Sequence, residues 1–193
     1  MNQFFSNRLT VPVLVLAVSV LFPCAGRMQG AERTHAREIN GTIFTTLTIY
    51  ENSELTGDVN CAVPLTMPGA NPCISFGADH IKLRLNGHTI TGPVTPPTGC
   101  SLPTDAMYGV GIDAIDRTDV AIEGPGIIQH FERWGILLGL TGHPSSEVTV
   151  KKVTVYRNCW SGMQTISTSE SLFEENVFVD DAGGSNGASC GGT

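Results

Sequence analysis

The sequence predicts an all-β protein in which short strands stack as successive coils of a solenoid. A Gly followed by an apolar residue recurs at Ile112, Ile136, Met163 and Ala188, with spacings of 24, 27 and 25 residues, and repeats of about this length are typical of solenoids. The chain contains 22 Gly and 11 Pro with only 7% aromatic residues, which is typical of a turn-rich protein. No window of ten residues keeps an apolar stripe at helical spacing, so a helix bundle is not expected.

Residues 1–26 have the pattern of a secretory signal peptide. A basic residue precedes an apolar run, residues 9–23, and small residues follow that run. A transmembrane anchor would need about 20 apolar residues, whereas this run is shorter and contains Pro12 and Pro23. We therefore expect cleavage near Gly26, a secreted or periplasmic product, and no membrane span after cleavage.

The exported chain is predicted to consist of a lead-in and one β domain. Residues 27–41 are assigned to a flexible polar lead-in, and residues 42–193 to the β domain, with its first strand within residues 42–50. Residues 93–108 contain four Pro and lengthen one turn of the repeat. This segment is therefore predicted to be a loop insertion.

The repeat also predicts which side chains share a column through the stack. A short strand with one apolar face is unstable alone, but a second copy about 4.8 Å away buries that face and satisfies the backbone groups. Aligning four copies of the apolar skeleton gives two inward and two outward columns. The predicted inward columns are Leu85, Ile122, Val150, Phe173 and Ile90, Ile127, Val155, Phe178, and the outward columns are Lys82, Asp119, Glu147, Glu170 and Asn86, Glu123, Lys151, Glu174.

The opening coils resemble a known family. The sequence L-R-L-N-G-H-T-I-T-G at residues 83–92, with residues 55–61 and 74–80 before it, resembles the secreted bacterial right-handed parallel β-helix repeat proteins of the pectin-lyase-like superfamily. The similarity covers about residues 45–193, and Arg84 departs from it, since that family often has Asp there. The resemblance implies a right-handed parallel β-helix of about four to five coils. It admits lyases, glycoside hydrolases, epimerases and non-catalytic binding proteins.

Five cysteines remain after removal of the signal peptide, which is an odd number for an oxidising compartment. Cys61 with Cys73 and Cys73 with Cys100 are both reasonable local bridges, and the sequence leaves the choice open. No C-x-x-C pair and no pair of His at ligand spacing is present, so a zinc site is not predicted. The five cysteines are Cys61, Cys73, Cys100, Cys159 and Cys190.

The Gly-rich stretch of residues 183–193 stands where another Gly-led strand is due. Solenoids need terminal caps, because an uncapped coil presents open strand edges. We therefore expect either a β-helix truncated at its C-terminus or a last coil covered by a partner, and self-association through that coil is one form of this expectation.

Charge argues against one class of partner. Eleven Lys and Arg against 18 Asp and Glu give a net charge of -7. Loss of one basic residue with the signal peptide leaves 10 minus 18, or -8. Since no basic stripe is present, nucleic acid is not an expected partner.

Acidic residues give weak candidates for catalysis. A lyase would hold Ca²⁺ with clustered carboxylates and use Arg or Lys as a base, and one cluster next to the Pro-rich loop has this composition. Asp180 and Asp181 resemble a hydrolase carboxylate pair only superficially, because no Gly-His-Gly or Arg-x-Lys signature accompanies them. The sequence therefore shows no complete catalytic constellation and no definite metal site. The lyase-like candidates are Asp113, Asp116, Arg117 and Asp119.

Two equivalent turns carry the candidate binding residues. An aromatic ring beside a cationic group can stack on a sugar and bind a carboxylate. We therefore favour a module that binds carbohydrate or cell-envelope polysaccharide without turnover. The alternatives are a lyase-like or hydrolase-like enzyme acting on acidic polysaccharide, and a structural or surface protein or a fragment of a longer β-helix. The candidate substrate-binding residues are His130, Arg133, Trp134, Arg157 and Trp160.

Overall fold

A computed structural model describes residues 35–64, 71–94 and 109–181 of the chain. Within these ranges the regular secondary structure is entirely β, and no helix is present that could cross a membrane. The signal peptide at 1–26, most of the Pro-rich insertion, the Gly-rich stretch at 183–193, Ala188, Cys100 and Cys190 lie outside the described residues.

The described residues form fifteen strands. Residues 37–41, which the sequence assigns to the lead-in, belong to the first of them. The strands are β1 Arg37–Ile43, β2 Leu47–Ile49, β3 Ser53–Cys61, β4 Pro72–Phe76, β5 Lys82–Arg84, β6 Thr89–Thr91, β7 Val110–Asp113, β8 Ala121–Gln129, β9 Trp134–Leu138, β10 Ser145–Ser146, β11 Thr149–Tyr156, β12 Ser161–Thr165, β13 Thr168–Ser169, β14 Leu172–Glu174 and β15 Val177–Val179.

All pairs between these strands are parallel, as the sequence predicts. The first sheet has the order β1-β3-β5-β8-β11-β14, with β6 beside β3 and β8 and with β15 beside β11. The second sheet has the order β12-β9-β7-β4-β2, and a third consists of β10 and β13. The chain thus passes repeatedly from the first sheet to the second and back, an arrangement compatible with a β-solenoid.

The core consists of apolar columns that run through successive coils. Ile74, Ile112, Ile136 and Met163 are in register in the second sheet, which confirms the predicted Gly-led column for the residues described. Leu83, Ile122, Val150 and Phe173 are in register in the first sheet. The sequence alignment placed Leu85 in this column and was wrong by two residues. Leu85 is also fully buried, but it follows the end of β5, where its N–H donates to the carbonyl of Glu123 at 2.8 Å.

The second inward column of the first sheet differs from its prediction by one residue. Ile90 and Val155 both align with Ile128, whereas the prediction chose Ile127. The cause is a bulge in β8, where Gly124 and Pro125 occupy the space that Lys152 alone fills in β11. The extra residue shifts every later position of that strand by one.

Both predicted outward columns are correct in part. Arg84, rather than Asn86, aligns with Glu123, Lys151 and Glu174, and Glu54 precedes it in the same column. The charges therefore alternate in sign along five coils, with Arg84 Nε 3.3 Å from Glu123 and Lys151 Nζ 2.8 Å from Glu174.

The other outward prediction was wrong for Lys82, which lies opposite Ala121. Asp119, Glu147 and Glu170 do occupy equivalent corners, and all three have positive φ. Two of these corners are linked to the next coil by amide hydrogen bonds, from Asp119 to the carbonyl of Ser146 at 3.1 Å and from Glu147 to the carbonyl of Ser169 at 3.0 Å.

A disulfide joins Cys61 to Cys73. It connects the end of β3 to β4, and both cysteines are buried in the main core. The alternative bridge between Cys73 and Cys100 is therefore wrong. Cys159 is also disulfide-bonded and packs against Val94.

Candidate functional site

The predicted binding residues meet at a corner between the first and second sheets. The chain turns from β8 into β9 and, one coil later, from β11 into β12. These turns stack on each other, since the amides of Trp160 and Ser161 both donate to the carbonyl of Arg133 at 3.0 Å. We call the resulting surface the tryptophan corner. It comprises His130, Arg133, Trp134, Arg157 and Trp160.

Asn158 fixes the local path of both turns. Its side chain is fully buried; Oδ1 accepts from the Phe131 amide at 3.0 Å, and Nδ2 donates to Asp181 Oδ1 at 2.9 Å. His130 and Arg157, which begin the two turns, adopt positive φ of 64° and 50°. In each turn a residue with positive φ therefore redirects the chain towards the second sheet, and the buried side chain of Asn158 holds the turns together through its hydrogen bonds.

Arg133 lies against both tryptophans. Its Cζ atom is 4.1 Å from each ring centroid, and the Trp134 and Trp160 rings are 5.8 Å apart with an angle of 13° between their planes. This is cation–π geometry. Partial burial lowers the pKa of Arg133, but a guanidinium stays protonated in proteins.

The two tryptophans differ in exposure, which the sequence could not show. Trp134 is only 5% exposed, because its strand is buried along its full length, whereas Trp160 is 37% exposed. Of the two tryptophans, only Trp160 can therefore offer substantial ring surface to a ligand, and the buried Trp134 stacks against it.

Tyr156 adds a third aromatic ring that sequence reasoning missed. Its ring lies 5.0 Å from the Arg157 guanidinium carbon and 6.3 Å from the His130 ring. Its position next to Arg157 in the sequence was the available signal. Arg157 also pairs with Asp180 at 3.5 Å. Burial, and then the charge of Arg157, lower the pKa of His130, so the positive charge of the corner at pH 7 comes from its arginines.

The candidate lyase residues contact different partners and do not form one site. Asp116 Oδ2 is 2.9 Å from His143 Nδ1, and Asp119 Oδ2 is 2.9 Å from His80 Nδ1. The fourth candidate, Arg117, donates through Nε to the carbonyl of Phe76 at 2.9 Å. Among the described residues, no group of three or more metal-ligating side chains is assembled.

Asp113 stands apart from the other acidic candidates because it is buried. It ends β7 with 7% exposure, and within the described ranges its Oδ1 has no hydrogen-bond partner. Desolvation raises its pKa to about 6, although a hydrogen bond with Ser75 and the charge of Arg117 oppose the shift. A carboxyl group in this environment is neutral below about pH 6.

Asp181 and His88 have structural partners. Asp181 accepts both hydrogen bonds from Asn158 through Oδ1, and burial raises its pKa. Its neighbour Asp180 pairs with Arg157. The two carboxylates therefore have different partners. His88 Nδ1 lies 3.5 Å from Asp58 Oδ1 at an outer turn.

Comparison with known proteins gives no relative for this chain. Family models, curated proteins and solved structures all yield no match. Function is therefore argued from the geometry of the tryptophan corner itself.

Proposed function

We propose that this protein is a secreted right-handed parallel β-helix module that binds carbohydrate or cell-envelope polysaccharide without turnover. The observation that carries the proposal is the exposed indole of Trp160, which Arg133 and the buried Trp134 hold in one orientation. A ring fixed in this way loses little conformational entropy when a flat ligand stacks on it.

The chemistry of the corner suits a sugar chain. Aromatic rings bind the apolar faces of sugars, while arginine side chains donate hydrogen bonds to hydroxyl or carboxylate groups. Arg133 and Arg157 supply these donors beside Trp160 and Tyr156. Two arginines lie at this corner although the chain carries a net charge of -7, and one of them, Arg157, pairs with Asp180.

Two further observations support secretion and the β-helix assignment. The Cys61–Cys73 disulfide is consistent with an oxidising compartment. The parallel pairing of β3, β5, β8 and β11 supports a solenoid of stacked coils. Handedness follows from the general right-handed preference of parallel crossovers.

A panel of neutral and acidic polysaccharides in affinity gel electrophoresis tests binding directly. We expect retardation by at least one polymer, and Trp160→Ala should weaken binding about tenfold or more, equivalent to about 1.4 kcal/mol. Tyr50→Ala is the matched control, because Tyr50 is an exposed aromatic residue, 67% accessible, on an earlier coil. No retardation by any polymer, or equal loss in both variants, would contradict the proposal.

The same polymers distinguish binding from turnover. Release of unsaturated or reducing ends is measured with and without Ca²⁺ over the same incubation. We expect no product. Product that disappears in the Asp113→Asn variant would replace the binding proposal with the enzyme alternative.

A further inference from the structure

The buried carboxyl group of Asp113 lies on the outer face of the second sheet. Ile112 and Ala114 on either side of it belong to the main core, so the side chain of Asp113 points away from that core. Ser75 of β4 and Leu137 of β9 are in register with Asp113, and Leu137 is fully buried. The carboxyl group therefore lies beside an apolar side chain rather than in water.

Few groups in the described chain can stabilise a negative charge on Asp113. Its Oδ1 has no hydrogen-bond partner there, although Ser75 forms a hydrogen bond with the carboxyl group. The strands on either side, β4 and β9, contain no acidic or basic residue, and Arg117 in the turn after β7 is the cation that acts on Asp113. Arg117 donates through Nε to the carbonyl of Phe76 at 2.9 Å, and its Nη1 lies 4.0 Å from Asp79. This environment therefore favours the neutral acid.

An apolar cluster connects Asp113 to the tryptophan corner. Val110, Trp134 and Leu137 are buried and pack together. Leu137 aligns with Asp113, and Trp134, at the start of the same strand, aligns with Val110. Trp134 in turn stacks against Trp160 with 5.8 Å between the ring centroids. A charge placed beside Leu137 therefore acts on the packing that supports the exposed indole.

Four other ionisable groups lie near these elements. His143, in the loop after β9, pairs with Asp116 at 2.9 Å. His130, Glu132 and Asp181 lie at or beside the corner, and Glu132 is buried. Burial lowers the pKa of His130 and raises that of Asp181. The three groups at the corner are the alternatives to Asp113 as the origin of any dependence on pH.

We propose that protonation of Asp113 keeps the tryptophan corner in its binding conformation. When Asp113 ionises, an uncompensated charge beside Leu137 loosens the apolar cluster, and Trp134 no longer supports Trp160. Burial raises the pKa of Asp113 to about 6, so the corner is ordered below about pH 6 and loosened above it. The consequence for binding, a lower affinity for polysaccharide above pH 6, rests on the proposed function.

Tryptophan fluorescence tests the conformational change without a ligand. The chain contains two tryptophans, and both belong to the corner. In a Trp160→Phe variant, Trp134 is therefore the sole indole. We expect acrylamide to quench Trp134 at least about twofold more efficiently at about pH 7.5 than at about pH 5, because loosening of the cluster exposes the ring. The midpoint should lie near pH 6, and adding Asp113→Asn should abolish the transition.

Control variants in the same Trp160→Phe background test the other ionisable groups. His130→Gln, Glu132→Gln and Asp181→Asn should each retain the transition. Circular dichroism verifies that every variant is folded, and Asp113→Ser replaces Asp113→Asn should the latter misfold. Quenching of Trp134 that is equal at the two pH values, or a transition that persists without Asp113, would overturn the proposal.

Polysaccharide binding tests the functional consequence. For a polymer that retards the protein in affinity electrophoresis, the affinity of the wild type should fall at least about tenfold between about pH 5 and about pH 7.5. The Asp113→Asn variant should keep the higher affinity at both values, and an equal fall in the two proteins would overturn the proposal. Failure of every polymer to bind would contradict the proposed function instead, and the fluorescence transition would still decide the role of Asp113.

Discussion

The interior coil of β11 and the last described coil have the same apolar pattern but different burial. Val150 and Val155 are completely buried, while the larger Phe173 and Phe178 at the same column positions remain nearly half exposed. The interior strand has a neighbour on each side, and the last strands have one within the described chain. Burial in this protein therefore comes from stacking rather than from the composition of a strand.

The charged column shows the same contrast. Glu123 lies between two basic residues, and Lys82 also approaches it at 3.5 Å, whereas Glu174 has one ion pair among the described residues, with Lys151. These pairs are on the surface, so they add little stability and mainly favour one register. Position in the stack thus determines the environment of equivalent side chains.

The largest expected effect is the truncation of an interior column. Ile122→Ala should lower the free energy of unfolding by about 2–5 kcal/mol, since Ile122 is fully buried between Leu83 and Val150 and leaves a cavity. Phe178→Ala should cost less than half as much despite the larger side chain. Urea unfolding followed by circular dichroism measures both losses, and equal losses would remove the distinction between interior and last coils.

The next effect depends on pH and arises from buried Asp113. Its pKa rises from 3.8 to about 6 on folding, so the folded protein binds more protons between these values. The contribution of Asp113 to the free energy of unfolding should fall as pH rises from about 4 to about 6 and change little above that.

Asp113→Asn removes this ionisation and should stabilise the protein above pH 6 by up to about 3 kcal/mol, with little change near pH 4. Urea unfolding at pH 4.5 and pH 7.5 gives the comparison, and Glu51→Gln serves as an exposed control. An Asp113→Asn variant whose stability matches wild type at both values would contradict the buried environment assigned to this carboxyl.

A smaller effect is expected from the two asparagines that bridge coils. Asn158→Ala leaves the buried amide of Phe131 without its acceptor, which should cost about 1–3 kcal/mol. Asn176 bonds to Val153 and Val150 in a similar way, at 3.0 and 2.7 Å, but belongs to the last coil. Asn176→Ala should therefore cost less, because water can replace some of its bonds. The same urea measurement decides, and a larger loss for Asn176→Ala would contradict the comparison.

Much of the fold follows from local pattern, and the errors have identifiable causes. Apolar periodicity predicts the strands and their parallel stacking, because each coil repeats the same requirement for burial. It misplaces Ile127 because Gly124 and Pro125 lie opposite a single residue, Lys152. An alignment that assumes constant spacing does not detect this extra residue.

For the candidate site, the turns that form it could be predicted from the sequence, but the burial and the partners of its side chains could not. Equivalent turns one coil apart bring Trp134 and Trp160 together, and the sequence shows this. The burial of Trp134 depends on packing by distant residues. In the same way, the partners of Asp116 and Asp119 are His143 and His80, at separations of 27 and 39 residues that no local motif reveals.

Methyl nuclear Overhauser contacts test the stacked register most directly. In protein with labelled Ile and Val methyl groups, we expect strong contacts between Ile122 and Val150 and between Ile128 and Val155. Contacts of Val155 with Ile127 instead of Ile128, or the absence of contacts between residues 122 and 150, would contradict the parallel stack on which the account rests.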